Sequence, residues 1–181
     1  MRDLSVQFQP TELPEVVIVG VEAHLDERGS FARTFDATEF AAAGLPTTWA
    51  QCNVSTNVRR GTLRGMHYQA SPRPDPKLVC CARGHVFDVV LDLRPQSKTF
   101  RRWCPVELSR SNRRAVFIPA GCAHGFITLE DDCELFYMIA DVYIPDLARG
   151  VRWDDPAFGV SWPMEPLVMS ERDATWPDFL L

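Results

Sequence analysis

From Gly44 onward the chain is cut by turn residues into short apolar segments, and this punctuation constrains the fold more than any other feature. Residues 78–82, 85–94, 103–108, 115–118, 125–129 and 133–143 each read as a strand. Arg83-Gly84, Arg94-Pro95-Gln96-Ser97, residues 109–112, Pro119-Ala120-Gly121 and Glu130-Asp131-Asp132 separate them. Many short strands at this spacing predict a sandwich or barrel. In residues 85–94, Phe87, Val89, Leu91 and Leu93 fall on one face and Asp88 and Asp92 on the other, the alternation of a half-buried strand. Upstream, 16–23 reads as a strand, Asp26-Glu27-Arg28-Gly29 as a turn and 31–35 as extended chain. The best helix is 37–44 (ATEFAAAG), with Thr38 as its cap and Gly44 as its stop. The tail from Asp154 is expected to wrap the barrel as irregular chain.

The 181 residues predict one domain, 1–181, large enough to bury a core. A net charge of -5 argues against a nucleic-acid partner. An acidic protein can still bind an anionic ligand if a few arginines are aimed into one pocket. The apolar runs are short and interrupted by charges, so no membrane span is expected. The opening MRDLSVQFQP has no apolar signal-peptide core, and a cytoplasmic location is expected. Cys52, Cys80, Cys81, Cys104, Cys122 and Cys133 show no CxxC spacing and should be reduced, packed as small apolar groups. Cys80 and Cys81 should point to opposite faces of one strand.

Of four histidines, His67 lies in Gly61-Thr-Leu-Arg-Gly-Met-His-Tyr-Gln69, and His124 lies in Ile118-Pro-Ala-Gly-Cys-Ala-His-Gly-Phe126, read as a turn leading into a strand. Pro119-x-Gly121-x-x-His124 resembles the second motif of the cupin double-stranded β-helix. Metal-binding cupins supply His-x-His and a glutamate from their first motif. Here that place reads His67-Tyr68-Gln69. Two histidines fall short of the three protein ligands that catalytic sites use, so no metal is expected. Acid–base chemistry remains. A neutral histidine titrating near ~6.5 can accept a proton at neutral pH. It needs a carboxylate to orient it and an acid on the other side of the substrate. Tyr137 and Tyr143 are candidates, but along one straight strand they would lie ~20 Å apart, so the chain must bend or the ligand must be long.

Taken together, the motifs resemble those of the dTDP-4-dehydrorhamnose 3,5-epimerase family, the RmlC-like cupins. The resemblance runs from about Val16 to Asp173. It rests on Asp26-Glu-Arg-Gly29, Gln51-x-Asn53-x-Ser55, Leu63-Arg-Gly-Met-His-Tyr-Gln69, Lys77-Leu-Val79, Ile118-Pro-x-Gly-x-Ala-His-Gly-Phe126, Tyr137, Tyr143-x-Pro145 and Arg149-Gly-Val-Arg-Trp-Asp-Asp-Pro156. It implies an all-β, cupin-type double-stranded β-helix (jelly roll) with short peripheral helices, forming a homodimer.

The resemblance also implies roles. His67 is the general base, Asp173 its dyad partner and Tyr137 the general acid on the opposite sugar face. Lys77 and Arg64 hold the enolate oxygen and the ligand. Arg28, Phe31, Gln51, Asn53, His124 and Tyr143 are substrate-binding positions, with Arg28 and its strand reaching the partner's site. The implied ligand is a nucleotide-diphosphate sugar, dTDP-linked, with no cofactor. Departures include Arg33 in place of a glutamate, Met138 in place of lysine, Val142 in place of tyrosine and Asp75 in place of glutamine. A C3-only epimerase, an epimerase of CDP- or GDP-linked keto sugars, and a non-catalytic sugar-nucleotide-binding cupin stay open at this point.

Overall fold

The structure is a computed structural model that describes residues 4–180. Its strands are β1 (Val6–Pro10), β2 (Val17–Val21), β3 (Ala23–Asp26), β4 (Gly29–Ala32), β5 (Gln51–Asn57), β6 (Leu63–Gln69), β7 (Lys77–Arg83), β8 (His85–Asp92), β9 (Trp103–Ser109), β10 (Arg114–Ile118), β11 (Cys122–Thr128), β12 (Cys133–Ile139) and β13 (Ala148–Gly150). Two short α-helices, α1 (Ala37–Ala42) and α2 (Glu171–Ala174), and one 3-10 turn at Pro145–Leu147 complete the described elements. One sheet has the order β1-β2-β10-β7-β12-β5, the other β13-β6-β11-β8-β9, and β3 and β4 form a separate hairpin. This is the all-β jelly roll with short peripheral helices. Among the described residues no helix is long and apolar enough to cross a membrane.

Alternation along the strands divides the apolar side chains into three layers. Val79, Val86, Val90, Leu108, Val116, Phe126 and Leu135 fill the space between the two sheets. The outer face of the six-stranded sheet is covered by α1 through Phe40, against Val19, Leu78 and Phe117. The outer face of the five-stranded sheet is covered by the tail, through Phe158, Val160, Trp162 and Phe179, against Phe87, Val89 and Leu91.

That third layer corrects the expectation for residues 85–94. The strand β8 is buried on both faces, not half-buried, because the tail covers its odd-numbered side. Its even-numbered residues face the barrel interior, and Asp88 and Asp92 are fully buried there. Burying a carboxylate is costly unless charged and hydrogen-bonding partners meet it. Asp92 receives Arg94 Nε at 2.9 Å, Ser97 Oγ at 2.6 Å and Thr99 Oγ1 at 2.7 Å. Burial alone would raise its pKa, but these donors outweigh it and bring it down to about 2.

Other boundaries differ for local reasons. The helix α1 ends at Ala42, and its cap is Asp36, not Thr38: the Asp36 carboxylate accepts from the N–H groups of Thr38 and Glu39 at 3.0 and 3.2 Å. The expected strand 16–23 is interrupted between β2 and β3. The extended stretch placed at 31–35 is β4, which ends at Ala32. His124 lies inside β11, not on a turn before it. The strand expected over 133–143 stops at Ile139, which leaves Tyr143 on the following connection. The tail is less irregular than expected, since it carries α2 and a bridge from Val168 to Thr62. All six cysteines are free, with Cys81 in the interior layer and Cys80 against the outer one.

Candidate active site

The strands β6 and β11 run antiparallel, and His67 pairs directly with His124, so both imidazoles point into the barrel. Farther along, Phe126 pairs with Arg64, with a register shift between the two pairs. Between these pairs two residues on β6, Gly65 and Met66, oppose one on β11, Gly125, the signature of a β-bulge. Regular alternation would put Arg64 and His67 on opposite faces. The bulge brings both onto the cavity wall. It requires Gly65, whose φ is +135° and where a Cβ would lie 2.5 Å from the Gly125 Cα.

His67 Nε2 lies 2.6 Å from Asp173 Oδ1. Asp173 is 4% exposed, and its other oxygen accepts the Gly65 N–H at 3.3 Å. Burial would push its carboxyl up, but the hydrogen bond and charge of His67, with the Gly65 N–H, hold it below the ordinary carboxylate range. Asp173 arrives on α2, whose cap Ser170 accepts the Asp173 N–H. Upstream, backbone bonds join Leu63 N–H to the Val168 carbonyl and Leu167 N–H to the Gly61 carbonyl, each at 2.9 Å, and fasten the strap to the start of β6. With Nε2 committed to the carboxylate, Nδ1 is the ring nitrogen left to exchange a proton with a ligand.

His67 and Asp173 line a cavity of about 630 Å³ together with Asn53, Arg64, Lys77, His124 and Tyr137. Tyr137 projects inward from β12 opposite Asn53 of β5. Burial raises the Tyr137 phenol well above its usual range, and the Asp88 charge adds to this against the opposing pull of Arg64 and Ser55. It is therefore a neutral proton donor at neutral pH. His124 Nε2 lies 2.7 Å from Asp88 Oδ2 in a second buried pair, and its ring meets Tyr137 edge-on at 6.2 Å. Asp88 Oδ1 has no hydrogen-bond partner among the described residues.

The sequence reading gives four contributors no role. Alternation sets Asp88 opposite the apolar face of its strand, Ser55 is one letter of a motif, Arg172 directly precedes Asp173 on α2, and Asp75 lies in a proline-rich loop. The signal for Asp75 was its position two residues before Lys77.

A smaller hollow of about 220 Å³ adjoins through His67, Lys77 and Arg172, and Tyr143 and Arg149 line its far side. Chain bending after Ile139 brings Tyr143 here, next to the main cavity and not along one straight strand. Gln51 lines neither hollow, and its side-chain oxygen accepts the Tyr143 N–H at 2.7 Å. Arg28 and Phe31 are not brought to the cavity. They sit at the exposed β3–β4 hairpin, with Arg28 paired to Asp26 at 2.6 Å.

The sequence profile of the dTDP-4-dehydrorhamnose 3,5-epimerase family matches residues 10–180. The chain belongs to this family. It is 43% identical over 173 residues to the dTDP-4-dehydrorhamnose 3,5-epimerase of Methanothermobacter thermautotrophicus, covering 94% of this chain and 92% of that one. The dTDP-4-dehydrorhamnose 3,5-epimerase of Bacillus anthracis, crystallised with TDP and PPi bound, superposes with a TM-score of 0.94 at 30% identity, covering 97% of this chain and 100% of that one. The dTDP-6-deoxy-D-glucose-3,5-epimerase of Legionella pneumophila, in complex with dTDP-4-keto-L-rhamnose, superposes with a TM-score of 0.89 at 35% identity, covering 94% and 90%. Family membership and the His67–Asp173 contact agree on epimerase chemistry.

Proposed function

We propose that this chain epimerises a dTDP-linked 4-keto-6-deoxy sugar, converting dTDP-4-dehydro-6-deoxy-D-glucose to dTDP-4-dehydro-L-rhamnose by proton transfer at C3 and C5. The observation that carries this is the His67–Asp173 contact at 2.6 Å on the wall of a cavity that Tyr137 also lines. A C–H beside a ketone becomes acidic when the developing enolate oxygen is held by cationic donors. In this reading His67 removes the proton through Nδ1, and Asp173 stabilises the imidazolium that forms. Lys77, with Arg64, holds the enolate oxygen. Tyr137 returns a proton from the opposite face. The carbon keeps its oxidation state, so the reaction balances without a redox partner.

The same reading places the diphosphate near Arg149 and Arg172 and the base near Tyr143, in the smaller hollow. We propose that residues 1–181 act as one domain in a homodimer. Among the described residues the strands β3 and β4 form a two-stranded sheet of their own, and Leu25 and Phe31 are 71% and 70% exposed on it. A lone two-stranded hairpin is marginal in water, and a second copy would cover its apolar residues and receive Arg28 and Phe31. The six free thiols fit the reducing cytoplasm.

The test is solvent exchange. Incubation of dTDP-4-keto-6-deoxyglucose with the protein in heavy water should place deuterium at both C3 and C5 by NMR, and His67→Ala should abolish it while ligand still binds. Exchange at C3 alone would make the protein a 3-epimerase. Exchange at neither carbon would refute the assignment.

A further inference from the structure

We propose that Asp75 is a positioning residue that holds the Lys77 ammonium at the junction of the two hollows, resting on the epimerase reading for what Lys77 then does. Lys77 starts β7 with its side chain only 10% exposed, and it lines both hollows. An ammonium so placed needs a counter-charge. The groups around it supply mostly the wrong sign. Arg64, Arg149 and Arg172 are cations on the walls of the same two hollows. Asp173 is a carboxylate there, but His67 and the Gly65 N–H already engage it. His124 is engaged by Asp88, and Tyr68, Tyr137 and Tyr143 bring phenol groups to the walls, not carboxylates.

Asp75 is the carboxylate that remains. Its Oδ2 lies 3.0 Å from Lys77 Nζ, and its side chain is 17% exposed. Its Oδ1 accepts the Gln69 N–H at 3.0 Å. Gln69 is two residues beyond His67 on β6, so base and ammonium are referenced to one rigid strand. Gln69 is itself buried, and it fixes the flanking loops by donating to the Arg73 and Val142 carbonyls and accepting from the Ile144 N–H. A neutral amide at this position could supply the Gln69 acceptor but not the charge. When substrate enters, one ammonium hydrogen turns toward the ketone oxygen while Asp75 keeps another.

Asp75→Asn tests this, because the amide oxygen can still accept from Gln69 while the charge is lost. The first readout needs no substrate: acetylation of Lys77 by acetic anhydride, mapped by peptide mass spectrometry across pH. Labelling of Lys77 in Asp75→Asn should run about tenfold faster than in wild type at each pH, and Asp75→Glu should return toward the wild-type profile. Superimposed profiles for wild type and Asp75→Asn would overturn the proposal. The second readout is epimerisation. Asp75→Asn should lower kcat about tenfold with KM little changed. An unchanged kcat would overturn the catalytic consequence. Absence of exchange by the wild-type protein would instead refute the epimerase reading, and the labelling profiles would still decide whether Asp75 holds Lys77.

Discussion

Replacing Asp173 by asparagine removes one charge from the site and little else. The oxygen of the new amide can still receive the Gly65 N–H, and Ser170 still caps α2 through the backbone. What is lost is a 2.6 Å contact between an imidazole and a carboxylate that is 4% exposed. A charge-assisted hydrogen bond in such a setting is worth about 1.5–3 kcal/mol. If that difference is felt in the transition state, where the imidazole becomes cationic, kcat falls about 10- to 150-fold. The loss is larger if the amide turns its NH₂ toward Nε2, because that demands the Nε2 lone pair and puts the proton on Nδ1, the nitrogen that must accept. Initial rates of deuterium incorporation at C3 and C5, at saturating substrate, measure the effect directly. A variant that keeps its thermal midpoint and its KM but loses at least tenfold in rate supports the dyad. A rate within about threefold of wild type would refute it. Because the Asp173 carboxyl is held below the ordinary range, it stays ionised through mild acid, and the acid limb of the wild-type profile should not report its protonation.

Three further outcomes are expected. Asp36→Ala should cost about 1 kcal/mol in urea unfolding by removing the α1 cap, and Thr38→Ala should cost much less; equal costs would return the cap to Thr38. The Asp92 pKa falls from 3.8 to about 2 on folding, so its stabilisation is present above pH 4 and is lost as pH falls toward 2. That amounts to about 2 kcal/mol, and Asp92→Asn should flatten this part of the stability–pH curve; parallel curves would refute it. Gly150→Ala would drive a Cβ into the Trp176 ring, within 2.7 Å of Cζ2. Displaced Trp176 should lose its stacking with Arg172, change tryptophan emission, destabilise the protein by about 1–3 kcal/mol and slow exchange by loosening α2; unchanged emission would show that the strap absorbs the methyl.

The strand-rich barrel was legible because turn residues and alternation are local signals. The faces were less so. In residues 85–94 the alternation was seen correctly, but its inside and outside were exchanged, since periodicity cannot say that a distant tail will cover the apolar side. Asp88 and Asp92 look like solvent residues until His124 and the Arg94-Ser97-Thr99 cluster are found around them. Short elements held by distant partners also escaped: β13 lies against β6, and α2 is a single turn fastened by the bridge at Val168. For the site, family likeness named His67, Asp173, Tyr137 and Lys77, and the structure places all four on one cavity. It could not show the bulge that puts Arg64 beside His67. Arg28 and Phe31 stay apart because they lie on the β3–β4 hairpin, which forms a sheet separate from the two that enclose the cavity.

The contact between His67 and Asp173 joins residues 106 positions apart. Closing so long a loop carries an entropic cost that local structure cannot offset, so it is met only when the strap and the barrel are both in place. On the proposed dyad mechanism, neither half of the chain should epimerise in isolation, and a collapsed intermediate that has its sheets but not its tail docked should be inert. Regain of activity during refolding therefore reports the final docking of the tail, later than signals that follow the core alone.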